Sequence, residues 1–213
     1  MTRIIAIDGN IGAGKTTFID RLEKICIERT DIFFLREPVD EWIQFKDSSG
    51  ESILDKFYQD PHKYTFAFQL TVFNTILASL KKALSNPKYK IIICERSIAS
   101  SRHVFMDMLY KDNMVNYFEY KIYEDLFTKD IVDNYYPTEI LYLNVSVKTC
   151  SERISKRNRQ GEQNIKTDYL ERCQYKYLEW IYTGGINCKI IDVEDVSDMS
   201  FIVNSLLYPR KKK

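Results

Sequence analysis

Apolar residues gather in five short runs, at 3–7, 32–35, 91–94, 139–143 and 189–193. Each run is nearly continuous, without the strict alternation of a half-exposed strand, so the runs predict strands of a parallel sheet buried on both faces. The segments between them carry helical spacing. Phe18, Leu22 and Ile25 share one face of the first. Between residues 66 and 84, Phe66, Leu70, Phe73, Leu77, Leu80 and Leu84 step by three and four, which predicts one apolar stripe on a long helix. Gln69, Val72 and Ile76 lie on a second, mixed face of that helix, which leaves room there for a ligand. Strands alternating with helices predict an α/β fold with right-handed crossovers, and ligands of such sheets bind beyond the carboxyl ends of the strands.

At 213 residues the chain is long enough for one domain with its own core, and a single domain over 1–213 is expected. Lys and Arg number 31 against 30 Asp and Glu, a net charge of +1, so nothing global favours nucleic acid or an anionic membrane surface as partner. No apolar run approaches the length of a membrane span, and the N-terminus, Met-Thr-Arg-Ile-Ile-Ala-Ile-Asp, lacks a signal-peptide core. Cys26, Cys94, Cys150, Cys173 and Cys188 are odd in number and widely spaced, as expected of reduced thiols in the cytoplasm. No pair has CxxC spacing and neither His62 nor His103 adjoins a cysteine, so no zinc site is expected.

The chemistry begins after the first strand. Gly9-Asn10-Ile11-Gly12-Ala13-Gly14-Lys15-Thr16 matches GxxxxGK[ST] between a strand and a helical pattern, and Thr17 follows. In such a loop, backbone N–H groups wrap phosphates, the helix N-terminus adds positive charge, Lys15 reaches the β/γ-phosphates and the Thr16 hydroxyl ligates Mg²⁺. A nucleoside triphosphate is the expected ligand. A GTPase is not expected: Thr128-Lys129-Asp130-Ile131 lacks the final Asp of a guanine-reading [NT]KxD, and no strand leads into Asp47-Ser48-Ser49-Gly50.

The second strand ends in Arg36-Glu37-Pro38 and the third in Glu95-Arg96-Ser97. Glu95 stands where an acidic residue can help hold Mg²⁺. Glu37 can accept the proton of an attacking hydroxyl, with Arg96 keeping it ionised and aimed; the plainer alternative is a structural ion pair. Arg153 and Arg157 are one helical turn apart, and Arg159 follows in a polar, glycine-containing stretch. Such a segment can be a closing lid or a solvated helix end.

Together these residues resemble a deoxynucleoside kinase, of the group that includes deoxycytidine kinase, the mitochondrial-type thymidine kinase and the broad-specificity insect enzyme. The resemblance covers GNIGAGKTT at 9–17, EPVDEW at 37–42, FQ at 68–69, ERS at 95–97, RxxxRxR at 153–159 and YL at 169–170, in the family's order. It implies a P-loop kinase fold, a five-stranded parallel sheet flanked by helices, with an Arg-rich lid at about 153–165. It implies ATP as donor, Mg²⁺ held with Thr16 and Glu95, and catalysis by Glu37, Arg96 and Lys15. Glu37 would be the base for the nucleoside 5′-hydroxyl. Gln69 would read the Watson–Crick edge of the base, Phe68 and Phe105 would sandwich it, and Trp42 would lie near its edge. Tyr58 and Glu162 would bind the 3′-hydroxyl, and Arg153, Arg157 and Arg159 would form the lid. Val72 and Ile76 would face sugar and base, and a homodimer through the helices is implied.

Three departures bear on the substrate. Deoxycytidine kinase carries an arginine where this chain has Ile76 and an aspartate where it has Ser101; both departures resemble the thymidine-accepting members and leave space for a 5-methyl group. Gly161 replaces a glutamate found in relatives, while Glu162 remains. The expected reaction is phosphorylation of a pyrimidine deoxynucleoside, thymidine favoured and deoxycytidine second. A thymidylate-type monophosphate kinase and a non-catalytic nucleotide-binding protein are the alternatives. The tail Arg210-Lys211-Lys212-Lys213 is expected to be a solvated terminus.

Overall fold

The computed structural model describes residues 2–131, 134–159, 162, 165–193, 199 and 203. Five strands, β1 (Arg3–Gly9), β2 (Ile32–Leu35), β3 (Ile91–Glu95), β4 (Glu139–Asn144) and β5 (Cys188–Asp192), form one sheet in the order β2-β3-β1-β4-β5. Every pairing is parallel. The five expected runs are the five strands. Their ends move by a residue or two, most at β1, which runs on through Asp8 and Gly9 because the ladder to β4 continues to Gly9↔Leu143.

Nine α-helices connect them: α1 (Lys15–Ile25), α2 (Val39–Gln44), α3 (Ile53–Gln59), α4 (Pro61–Leu84), α5 (Ile98–Ser100), α6 (Asp107–Lys111), α7 (Tyr117–Asp130), α8 (Val147–Arg157) and α9 (Thr167–Thr183), these being the helices among the described residues. A π-helical turn, Ser101–Met106, joins α5 to α6. Alternate residues of the strands enter two cores. Ile5, Ile7, Ile91, Ile93, Leu141 and Leu143 pack with α1 and α8, through Phe18, Leu22, Cys150 and Ile154. Ile4, Ala6, Ile92, Cys94, Ile140 and Tyr142 pack with α4, the π turn, α7 and α9.

Two helix faces differ from expectation. On α1, Phe18 and Leu22 are buried, but Ile25 is 52% exposed and Cys26 takes the inward position. The buried set 15, 18, 19, 22 and 26 drifts around the helix, as a 3.6-residue period must. On α4, Phe73, Leu77 and Leu80 are buried as expected while Phe66, Leu70 and Leu84 are half-exposed. The deepest side runs through Phe68, Gln69, Val72, Ile76 and Leu80, facing the sheet and the π turn. The lid expected over 153–165 falls only partly on described residues: Arg153 and Arg157 are on α8, Asn158 ends that helix in a left-handed conformation (φ 49°), and Arg159, Glu162 and Ile165 follow. Gly161 and the tail 210–213 lie outside the described residues.

Candidate functional site

The carboxyl ends of β1, β2 and β3 open onto a cavity of about 870 Å³. The loop after β1 forms one wall. Gly12 (φ 79°) and Gly14 (φ 92°) take conformations that a side chain disfavours, and Gly14 starts α1. The Asn10 side chain braces the loop, accepting from the Ile11 N–H at 2.8 Å and donating to the Leu170 carbonyl of α9 at 2.9 Å. Lys15 is buried, its Nζ on the Gly9 and Asn10 carbonyls at 3.3 and 2.9 Å. Burial, reinforced by the Arg96 charge, lowers its pKa to about 8 against the pull of Glu37, Glu95 and Asp8. The Thr16 hydroxyl donates to Glu95 Oε1 at 2.5 Å. This pair of oxygens suits a hard divalent ion, and Mg²⁺ fits it, since Mg²⁺ takes one or two carboxylates and completes its shell with phosphate and water.

Opposite the loop, Arg96 Nε donates to Glu37 Oε1 at 2.7 Å. Burial pushes the Glu37 carboxyl up, but Arg96 and then Lys15 outweigh it and hold the group below the usual carboxylate range. The Arg96 guanidinium lies 4.6 Å from the Phe105 ring centroid, so one face of Phe105 is occupied by a cation. Arg96 itself sits at φ 64°.

Ser101 and Phe105, both on the π turn, line the cavity with Trp42, Leu54, Phe57, Tyr58, Phe68, Gln69 and Val72. Phe68 stacks on Phe57 (4.7 Å, 20°) and meets Trp42 edge-on at 5.6 Å. Trp42 Nε1 donates to Thr75 Oγ1 at 2.9 Å, which sets the indole. Gln69 Oε1 is buried with no hydrogen-bond partner. An unpaired buried amide oxygen costs about 1–3 kcal/mol, which a ligand donor would recover. Ile76 does not line the cavity: two turns beyond Gln69, it is 1% exposed inside the core. That corrects its expected place beside sugar and base, because α4 runs away from the opening. The Ser101 hydroxyl is instead paired with buried Tyr123 at 3.0 Å.

The arginines close the third side. Arg153 Nη1 donates to the Ala13 carbonyl at 3.0 Å. Glu162, 5% exposed, receives Arg157 Nη2 at 2.6 Å and Arg159 Nη1 at 3.3 Å. Tyr58 also lines the cavity, and burial, with the Glu162 and Glu37 charges, keeps its hydroxyl protonated well above the usual phenol range. The expected residues line the cavity except Gly9, Asn10 and Ile76, of which Gly9 and Asn10 hold Lys15 through their carbonyls.

Two residues that the sequence did not single out are Asp8 and Tyr177, both fully buried. Asp8 accepts from the hydroxyls of Ser97 and Ser100, each at 2.7 Å, and Tyr177 receives Arg96 Nη1 at 2.7 Å. The available signal was a carboxylate inside an otherwise apolar strand, immediately before a phosphate loop. Tyr177 gave none, being one of 15 tyrosines.

A family model described as deoxynucleoside kinase matches residues 5–206. The chain is 30% identical to deoxycytidine kinase of Homo sapiens, covering 95% of this chain and 85% of that protein. It is 31% identical to a probable deoxycytidine kinase of fowlpox virus, over 83% and 71% of the two chains. It is 28% identical to the mitochondrial thymidine kinase 2 of Macaca fascicularis, over 86% and 66%.

Proposed function

Because the chain belongs to the deoxynucleoside kinase family, we propose that it transfers the γ-phosphoryl group of ATP to the 5′-hydroxyl of a pyrimidine deoxynucleoside, thymidine before deoxycytidine. The observation that carries the acceptor class is the unpaired, buried Gln69 Oε1 at the apolar end of the cavity. A carboxamide offers a donor and an acceptor side by side, as the N3/C4 edge of a pyrimidine requires. Phe68 stacks on one side of the base, and Phe105 offers the face that Arg96 leaves free. Tyr58 donates to the 3′-hydroxyl and Glu162 accepts from it, which also ties the sugar to Arg157 and Arg159.

Glu37, ionised by its cationic neighbours, takes the 5′-hydroxyl proton as the oxygen attacks. Lys15, Arg96 and the arginines of the 153–159 segment face the charge spread over the transferring group. Thr16 and Glu95 supply oxygen ligands for Mg²⁺, which offsets phosphate charge when bound with the donor. In-line positioning and charge neutralisation do most of this chemistry. A homodimer through α4 and α7 is part of the proposal: Phe66 and Leu70 are half-exposed on α4, and Phe118 and Ile122 are 76% and 50% exposed on α7. The five free cysteines favour a reducing, cytoplasm-like compartment, and among the described residues no helix is long and apolar enough to cross a membrane.

The thymidine preference rests on the surroundings of Ser101. Trp42, Leu54, Phe57, Phe68, Val72 and Phe105 line the cavity together with Ser101, Gln69, Tyr58 and Arg96, and the apolar share of this lining suits a 5-methyl group. Incubation with γ-labelled ATP, Mg²⁺ and each of thymidine, deoxycytidine, deoxyadenosine, deoxyguanosine and thymidine monophosphate tests both levels. Label is expected on thymidine, then deoxycytidine, and not on the monophosphate. Label on the monophosphate alone would replace the proposal with a nucleotide kinase. Ser101→Asp puts a carboxylate against the Tyr123 hydroxyl and the base. It is expected to lower kcat/KM for thymidine about 10–100-fold and for deoxycytidine much less, since the cytosine amino group can donate to it. Equal losses for both would remove Ser101 from the specificity argument.

A further inference from the structure

We propose that Tyr177 and Asp8, neither of which lines the cavity, are positioning residues for phosphoryl transfer: Asp8 orients the Tyr177 hydroxyl, and Tyr177 holds the Arg96 guanidinium against Glu37. This rests on the kinase reading above.

Arg96 carries a long, flexible side chain from a backbone position at φ 64°. Three contacts aim it. Nε reaches Glu37 at 2.7 Å, the Phe105 ring lies under the guanidinium, and Nη1 reaches the Tyr177 hydroxyl at 2.7 Å. Glu37 and Phe105 both face the cavity and must also serve substrate. Tyr177 is the contact on the protein side, fully buried on α9 and packed on Tyr142 (5.2 Å) and edge-on to Phe105 (6.1 Å).

A hydroxyl can turn either its hydrogen or a lone pair toward a neighbour, and toward a guanidinium only the lone pair is useful. Asp8 decides the direction. Its Oδ1 accepts the Tyr177 O–H at 3.3 Å, which leaves the phenol lone pair facing Arg96. Asp8 is in turn fixed by the hydroxyls of Ser97 and Ser100 at 2.7 Å and by the Ser97 N–H at 3.4 Å. These donors come from α5 and its N-cap, directly after Arg96. The relay Asp8–Tyr177–Arg96–Glu37 thus links the end of β1, α9, the end of β3 and the end of β2.

Tyr177→Phe keeps the ring and deletes the hydroxyl. With thymidine as acceptor, kcat is expected to fall about 10–100-fold, the cost of a misaimed reacting group. The dissociation constants for thymidine and ATP, measured by calorimetry, should stay within about twofold, because uniform binding is untouched. In an Arg96→Lys background the same substitution should add less than about twofold, since groups acting through one another are not additive. Unchanged kcat, or an equal loss in the Arg96→Lys background, overturns the proposal. An arm independent of activity is the NMR signal of the Arg96 Nε–H, which should shift or exchange faster in Tyr177→Phe. If the wild-type protein transfers to no acceptor while that signal responds, the kinase reading fails and only the hold of Tyr177 on Arg96 stands; an unresponsive signal overturns that hold and the proposal with it. Should Tyr177→Phe not fold, Asp8→Asn is read the same way, because an amide can donate to the phenol and turn its hydrogen toward Arg96.

Discussion

Glu37→Gln is expected to lower kcat by about 10²–10⁴-fold while leaving nucleoside affinity within a few-fold. Glutamine preserves the shape of the side chain, and its carbonyl can still accept from Arg96 Nε, a bond of 2.7 Å in the wild-type protein. What it removes is the charge that would take the 5′-hydroxyl proton. The pH profile sharpens the test. The folded Glu37 carboxyl is held below its ordinary range by Arg96 and Lys15, against burial. A depressed carboxyl is in its basic form at every pH above that lowered value. The acid limb of kcat/KM, which reports the free enzyme, should therefore fall below about pH 4.3, the usual glutamate value. A Glu37→Gln protein that phosphorylates thymidine at the wild-type rate would return Glu37 and Arg96 to the standing of a structural ion pair.

Gly12→Ala is expected to destabilise the protein by about 2–4 kcal/mol and to weaken ATP binding at least tenfold. Gly12 sits at φ 79°, and a Cβ built there would lie 2.5 Å from the Cys150 carbonyl oxygen and 3.0 Å from Ile154 Cγ1. The first of these is backbone in the middle of α8 and cannot rotate away. Loop and helix must part, and Arg153 on α8 loses its 3.0 Å bond to the Ala13 carbonyl. For a chain of this length the melting temperature should fall by about 5–15 °C. Gly50→Ala is the control. Gly50 also has a positive φ, 84°, but nothing lies within 4 Å of the new Cβ. It should cost only the conformational strain, about 1 kcal/mol, and leave ATP binding alone. Equal effects at the two glycines would show that strain, and not the clash with α8, governs Gly12.

The sheet and the phosphate loop were readable because each is written locally. A short, near-continuous apolar run favours a buried strand over a helix, although β5 at the sheet edge stays partly exposed, and Gly12 and Gly14 announce the positive φ angles that they adopt. Glu37, Glu95 and Arg96 were readable because the ends of parallel strands converge. The sequence hid what depends on distance. Asp8 looks like the polar stop of a strand, yet its partners Ser97, Ser100 and Tyr177 lie about 90 to 170 residues away. Ile76 has the right helical phase for the cavity, but phase cannot say how far along α4 the opening extends. Ile25 and Cys26 exchanged places for a similar reason, since a three- or four-residue step does not choose between adjacent positions at the end of a short helix. The pairing of Glu162 with Arg157 and Arg159 is within local reach, yet residue types and spacing point equally to separate contacts with sugar and phosphate.

The central place of β1 governs how the molecule is made. Although it precedes the other four strands in the chain, its two neighbours are β3 and β4, paired as Ile5↔Ile93 and Ile5↔Glu139. The phosphate loop that follows it is braced by Asn10 on Leu170. A growing chain therefore holds β1 with both edges open until β3 emerges, and with one edge open until β4 does. Its nucleotide loop lacks the braces from Arg153 on α8 and from the Leu170 carbonyl on α9 until those helices have been synthesised. Such long-range parallel pairing is slow to form and exposes strand edges meanwhile. The phosphate grip carried by the loop after β1 is complete only once α9 has been made, so a truncated chain ending before α9 should be unable to retain ATP.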